Sequence, residues 1–536
     1  LHKAIRRQRQ MCIRDRVKID MNKTKNAMRN IIFGMGLRIY QIIVPFLMRT
    51  AMIYFMGIEY LGLNSLFTSI LQVLNLAELG VGSAMVYSMY KPIAEDDKDT
   101  ICALLKLYKK YYFFIGLVIA TIGIIITPMI TKLINGEVPG DINIYVLYIL
   151  NLSATVITYW LYAYKSSLLQ AHQRTDISSK VQLITTTAQY ILQFLVLWLT
   201  KNYYLYVIAI LFTQALANII TAREATKIYP NYQAKGSLPK ETIAAINQRI
   251  KDLFTAKLGA TIVNSADTIV ISAYLGLTML AVYQNYYFIM NSVMSILVIV
   301  FVSCLAGIGN SLVTESLDKN YNDFRVITFF INWVVTVCMC CFAVLYQPFI
   351  TLWVGEDYTF NIGVVALFCI YFYLVIMQQI NGMYKDAAGA WHQDRFRPLI
   401  VAMINLTLNL TFVRSWGIYA ILLSTIVSYV FVSMPWMIVN VFKYVFKRKS
   451  KDFIIDAIGY FVIACCVTGI SYYVCKIFPK MNLLAELIIN FAIVIIFSNT
   501  VMFVIFRKNK YFNQMIDLAD RVTKYKFNRF LRKIKG

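Results

Sequence analysis

Long apolar stretches, separated by short polar ones, set the pattern of this chain. Residues 111–130 read "YYFFIGLVIATIGIIITPMI" and residues 486–506 read "ELIINFAIVIIFSNTVMFVIF". About 20 predominantly apolar residues are enough to cross a bilayer as a helix. Fourteen such segments can be marked, at about 31–55, 62–90, 108–134, 142–164, 181–200, 203–221, 255–275, 279–312, 326–354, 361–383, 398–413, 416–442, 453–476 and 483–506. A soluble α/β enzyme would need polar turns far more often. The pattern predicts an all-α polytopic membrane protein with about 14 transmembrane helices.

Composition agrees. Hydrophobic residues make up 59% of the chain, mean hydropathy is +0.61, and only 15% of residues are charged, against roughly 25% in soluble domains. The ten cysteines do not form a disulfide framework: Cys338, Cys340, Cys341, Cys465 and Cys466 lie inside apolar runs, where cysteine acts as a small hydrophobe. No His or carboxylate flanks "CMCC", so no metal site is expected there. Residues 1–20 are basic without an apolar core and fail as a secretory signal. They resemble out-of-frame or adapter-derived translation, and Met21 reads as the natural start.

The net charge of +25 calls for no nucleic-acid partner. Lys and Arg accumulate in cytoplasmic loops. With the chain after Met21 starting inside, the inside segments hold 37 Lys and Arg and the outside loops five: Lys132, Lys201, Arg414, Lys476 and Lys480. Both termini are therefore expected on the cytoplasmic side, and attraction to anionic leaflet lipids accompanies that bias. The connection 222–254 and the tail from 507 both read as amphipathic helices lying in the cytoplasmic interface.

Two of the three histidines sit in matched contexts. "YKSSLLQAHQRTD" begins at Tyr164 and "YKDAAGAWHQDRF" at Tyr384, which places His172 and His392 220 residues apart. "YFMGIEYLGL" (54–63) likewise resembles "SAYLGLTMLAV" (272–282), with Gly57 facing Gly276. An offset near 220 spans about six segments, as in two parallel six-helix repeats. The histidines are better explained as duplicated loop positions than as metal or catalytic ligands, leaving gating or lipid-headgroup contact as their other use. The expected organisation is a leader at 1–20, an N-lobe at 21–222 (helices 1–6), an interfacial linker at 223–254, a C-lobe at 255–443 (helices 7–12), two extra helices at 444–506 and a basic amphipathic tail at 507–536.

Several stretches resemble a known family. "PFLMRTAMIYFMGIEYLGLNSLF", "LNLAELGVGSAMVYSMYKPIAEDDK", "NSADTIVISAYLGL" and "AGIGNSLVTES", in that order and spacing, are similar to flippases of bacterial polysaccharide synthesis in the multidrug/oligosaccharidyl-lipid/polysaccharide exporter superfamily. The resemblance implies two helical lobes around a central cavity in the bacterial cytoplasmic membrane. It implies a polyprenyl-diphosphate-linked oligosaccharide as substrate, membrane lipids as partners and polysaccharide polymerase machinery as a candidate partner. Multidrug exporters of this fold usually have twelve spans. The two extra helices fit the saccharide and lipid II branches better.

Charged side chains inside spans are costly, at least about 2.5–3.5 kcal/mol, and are functional candidates. Arg38 and Arg49 in span one are eleven residues apart, hence on one helix face and roughly 16 Å apart. Guanidinium suits a diphosphate; snorkelling to the interfaces is the structural alternative. Span two carries Asn64, Thr68, Gln72, Asn75 and Glu78 with Gly82 in line. Span seven carries Lys257, Thr261, Asn264 and Thr268 with Asp267 beside them. Such stripes face a cavity or an interhelical seam. The candidate cavity residues are thus Arg38, Arg49, Asn75, Glu78, Asn264 and Asp267. Glu78 and Asp267 are candidates for ion coupling, and Pro45, Gly80 and Gly82, besides Gly34 and Gly36, for hinges. Arg49 is expected to approach Asp267 when the outward side closes, with Glu78 as its alternative partner.

Two other readings compete. A membrane glycosyltransferase or polymerase would need acidic active-site loops, whereas "AEDDKD" (94–99) reads as a solvated loop. A drug/cation antiporter of the same fold should show an anionic cavity. No Walker A sequence occurs, so direct ATP use is not expected, and no cofactor, metal or catalytic residue is assigned.

Overall fold

The computed structural model describes residues 39–136, 138–477 and 482–522. Residues 1–20, Gly34, Gly36, Arg38, Lys480 and 523–536 lie outside the described residues, as do the side chains of Lys257 and Asn264. All regular elements among the described residues are helical.

The chain divides into a short compact unit, Leu1–Ala51, and a large one, Met52–Gly536. The described part of the short unit is the start of α1 (Ile39–Phe55), which carries Pro45 and Arg49. Within it, the Thr50 hydroxyl donates to the Phe46 carbonyl at 2.9 Å.

In the large unit the first half of the chain gives α2 (Ile58–Leu74), α3 (Val81–Ala94), α4 (Lys98–Ile126, extended by a 3-10 turn over Thr127–Leu133), α5 (Ile144–Trp160), α6 (Ser166–Ala171), α7 (Thr175–Leu199) and α8 (Tyr203–Ile228). Then come α9 (Lys240–Leu275), α10 (Leu277–Thr314), α11 (Leu317–Val354), α12 (Ile362–Ala387), α13 (Arg397–Trp416) and α14 (Ile418–Phe446), followed by α15 (Lys451–Lys476), α16 (Leu483–Phe506) and α17 (Lys510–Val522). Among the described residues eleven helices are long and apolar enough to cross a membrane, or twelve if the pair Ile144–Trp160 and Ala163–Ala171, bent by 48°, is one span. Two more apolar helices, Ile39–Phe55 and Thr261–Leu275, are shorter. The difference from the expected fourteen therefore falls at the first and seventh segments. The first was expected from residue 31 but is described only from 39. The seventh is the apolar end of α9. Large apolar side chains such as Ile124, Ile125, Trp198 and Leu199 stand exposed, as a lipid solvent requires.

A spacing near 219 residues recurs in this architecture. Asp97 caps α4 by accepting from the Thr100 amide at 3.0 Å, and Ser316 caps α11 by accepting from the Lys319 amide at 3.3 Å. Asn143 and Asn361 cap α5 and α12 in the same way. Gly57 and Gly276, each between two helices, share φ of +115° and +90° with nearly equal ψ, a conformation that a Cβ would strain. These equivalent corners also meet. The Thr278 hydroxyl donates to Glu59 Oε1 at 3.4 Å. A Cβ added at Gly62 would lie 2.2 Å from the Leu277 carbonyl oxygen, so α2 and α10 cross backbone to backbone.

The expected interfacial helix before span seven is not a separate element. Pro239 precedes α9, as a helix start allows, but nothing in 240–275 breaks the helix, and α9 runs unbroken for 36 residues. The described start of the tail, α17, packs its apolar face inward. Phe512 is buried with Phe329, Tyr460, Met502 and Phe506. Arg325, itself buried, pairs with Asp456 on α15 and lies 4.9 Å from the Tyr511 ring of α17. His172 stacks on Tyr229 with ring centroids 4.2 Å apart, and His392 stands exposed in a 3-10 turn.

Candidate functional site

The polar stripe of span two coincides with a break in its helix. α2 ends at Leu74, Asn75–Glu78 form a 3-10 turn, and α3 begins only after Gly80. Gly80 is left-handed at φ +90°. A Cβ there would stand 2.7 Å from the Leu253 Cβ and 3.0 Å from the Ile250 carbonyl of α9. Glycine is thus required twice, for the turn and for the approach of α9. A cavity of about 460 Å³ opens at this break, lined by Gln72, Asn75, Glu78, Leu79, Gly80, Gly82 and Ser83, with Thr261 from α9 opposite.

Glu78 is held by tyrosines. The Tyr112 hydroxyl donates to Oε1 at 2.5 Å and that of Tyr159 to Oε2 at 2.7 Å. The Tyr108 hydroxyl donates in turn to Tyr112 Oη at 2.7 Å, and Tyr159 Oη lies 3.1 Å from Asn75 Oδ1. Bonds to an ionised carboxylate are short and about twice as strong as neutral ones. The cluster joins three elements, since Tyr112 sits in α4 and Tyr159 is the penultimate residue of α5, immediately before the bend at Leu161–Tyr162. Gln72 extends the polar wall by accepting from the Ser265 hydroxyl of α9 at 3.3 Å.

Of the residues picked from sequence, Asn75, Glu78, Gly80 and Gly82 come together around this cavity. Asp267 is elsewhere. It is buried between α9, α13 and α14, where Asn409 Nδ2 donates to its Oδ1 at 2.7 Å and the Thr425 hydroxyl to its Oδ2 at 3.4 Å. Asn405 supports both partners, donating to the Thr425 hydroxyl at 3.0 Å and accepting from Asn409 at 3.3 Å; Ser424 donates to Asn409. Close packing makes this seam possible, for a Cβ at Gly259 would lie 2.1 Å from the Pro398 carbonyl carbon. Arg49 and Pro45 lie on α1. Arg38 is outside the described residues. Asn264 lies one turn before Asp267 on α9.

Sequence reasoning missed the tyrosines, and 37 tyrosines leave no way to single out three. Asn405 and Asn409 were more legible: two amides four apart inside an apolar run share one helix face, a signal that should have marked span eleven.

No protein-family model matches the chain, and no curated protein sequence does. Solved structures do. A structure described as "Lipid II flippase MurJ, inward closed conformation" aligns with a TM-score of 0.68 at 14% identity, over 89% of this chain and 99% of that one. A MATE structure in the bent conformation aligns with a TM-score of 0.50 at 13% identity, over 75% of this chain and 92% of that one. At such identities the likeness is one of fold.

Proposed function

We propose that this chain is a flippase that carries a polyprenyl-diphosphate-linked saccharide from the inner to the outer leaflet of the bacterial cytoplasmic membrane, for cell-surface polysaccharide synthesis. The observation that carries the reading is the cavity at the break in span two. A carboxylate, two side-chain amides, hydroxyls and opened backbone are grouped where a membrane helix would otherwise be closed and apolar. Non-helical backbone at membrane depth is tolerated where it lines a water-filled cavity or is buried in protein, and these groups are the hydrogen-bonding complements of sugar hydroxyls. The fold match, which takes in nearly the whole of a lipid II flippase, supports a lipid-linked cargo.

In this mechanism 21–222 and 255–443 rock against each other about the cavity, with both termini cytoplasmic. Gly80, Gly82 and Pro45 take up the backbone change. Asn75 and Glu78 meet the saccharide, and Arg38 and Arg49 follow the diphosphate along span one. Asn264 lies beside the Asp267 seam, where the buried carboxylate serves ion coupling. Polymerase machinery receives the product outside.

One observation favours a second reading, a multidrug or cation antiporter: among the described residues the cavity lining includes Glu78 and no Lys or Arg. Depletion in the native host separates the two. A polyprenyl-linked glycan accumulating on the inner leaflet is the expected result. Unchanged glycan pools together with raised sensitivity to cationic drugs would replace the flippase with the antiporter.

A further inference from the structure

A second cavity, of about 560 Å³, opens between the end of α14 and the start of α15. Five cations line it, Lys443, Lys447, Arg448, Lys449 and Lys451. Their convergence comes from the local fold. α14 closes with a π-type stretch over Val441–Phe446, Lys447 turns left-handed at φ +52°, and the Arg448 amide donates back to the Phe442 carbonyl at 3.0 Å. The chain reverses in a few residues, so cations from the end of one helix face those from the start of the next. Arg448 is paired with Asp318 and lies 4.9 Å from the Tyr321 ring. Among the described residues Lys443, Lys447, Lys449 and Lys451 have no ion pair, and Asp452 is the one carboxylate within 443–452. The amides opening α15 add to the positive field, since Ser450 makes no side-chain cap there.

The floor of this cavity is apolar. Phe442 is buried, and Val439, 54% exposed, stands one helical turn deeper. Charge therefore gathers at the polar end of the helices and hydrocarbon lies directly below it. That sequence of chemistries matches a phospholipid, with its phosphodiester at the headgroup level and its acyl chains beneath. We propose that this cavity is a binding site for the phosphate of an anionic phospholipid of the Lys/Arg-rich leaflet. An isolated phosphate would meet the same cations, but the apolar floor serves only a lipid. The site is separate from the Glu78 cavity, and lipid occupancy is measured without transport, so its failure would leave the flippase reading standing.

The test is native mass spectrometry of the full-length chain in a neutral detergent, titrated with dioleoyl-phosphatidylglycerol, with dioleoyl-phosphatidylcholine or with inorganic phosphate. The expected result is at least a tenfold preference for phosphatidylglycerol over phosphatidylcholine. K443Q/K447Q/K451Q should abolish that preference, and K443R/K447R/K451R should keep it. Arg448 is left in place because it holds Asp318. The control K508Q/K510Q, which removes two charges from another basic segment, should bind like the wild type. Full preference in the glutamine variant, or an equal loss in the control, would overturn the site. Displacement of phosphatidylglycerol by an equal concentration of inorganic phosphate would overturn the lipid as its occupant.

Discussion

Replacing Glu78 and Tyr159 singly and together tests the centre of the candidate site. Tyr159→Phe removes a hydroxyl that donates to Glu78 Oε2 at 2.7 Å and lies 3.1 Å from Asn75 Oδ1. A hydrogen bond to a charged group contributes about 1.5–3 kcal/mol, and a neutral one about 0.5–1.5 kcal/mol. In wild-type protein the substitution should therefore cost about 1.5–3 kcal/mol. In a Glu78→Gln background the same hydroxyl faces a neutral amide, and its loss should cost about 0.5–1.5 kcal/mol. The coupling energy of the cycle is then about 1–1.5 kcal/mol, above the roughly 0.3–0.5 kcal/mol within which independent sites add. Denaturant unfolding of purified protein in detergent, read for all four variants, measures it. Glycan accumulation in cells carrying the same variants shows whether the energy matters to transport, with Glu78→Gln expected to accumulate substrate even where the protein stays folded. Additive stabilities for the two substitutions would refute the hydrogen-bonded cluster. Full complementation by Glu78→Gln would refute its use.

Gly80→Ala should destabilise the break, because the left-handed conformation costs an L-residue roughly 1–2 kcal/mol and the new Cβ would press on α9; a lowered melting temperature with reduced complementation is expected. Gly62→Ala should be worse, since its Cβ would overlap the Leu277 carbonyl, and folded yield in detergent reports it. Arg325→Ala should cost about 1.5–3 kcal/mol by removing a charged hydrogen bond to the half-exposed Asp456 and should loosen α17, seen as faster proteolysis of the tail. Asp267→Asn should leave folding intact while removing ion dependence of transport in proteoliposomes, and Arg49→Ala should lose complementation; wild-type behaviour in either would remove the idea that the two act together.

Much of the fold was legible because lipid imposes few solutions. Apolar runs of bilayer length must be helices, and the boundaries of α4, α7, α12, α15 and α16 fall within the helices the hydropathy pattern marked or extend them into polar ends. What periodicity could not show was where a helix breaks. "LNLAELGVGS" contains no proline, and its polar stripe reads as a continuous helix face until Gly80 is seen left-handed. The continuity of α9 was hidden for the converse reason: Lys and Glu in 240–252 suggest a surface segment, yet such residues favour helix, and nothing separates them from the apolar turns that follow. Side-chain partners were least legible. Glu78 stood out as a charge in a span, but its tyrosines come from α4 and α5, and only the packing of those helices selects them.

The two halves of the chain share a framework and differ where the chemistry lies. At the 219-residue spacing, Asn75 and Glu78 correspond to Met294 and Leu297, and Tyr112 to Ile331. α10 runs unbroken through Met294 and Leu297, and α12 runs unbroken through Asn381, the counterpart of Tyr162. Opening a helix in lipid exposes carbonyl and amide groups that need partners. The first half supplies polar side chains at its break; the second offers hydrocarbon at Met294, Leu297 and Ile331 and keeps its helices closed. The second half instead puts its buried carboxylate, Asp267, on the helix equivalent to α1, where the matching residue is Met48. The spacing near 219 residues thus links the corners at Gly57 and Gly276 and the paired caps. Each carboxylate belongs to one half alone, since Leu297 stands at the position of Glu78 and Met48 at that of Asp267, so the two polar clusters are not copies of one another.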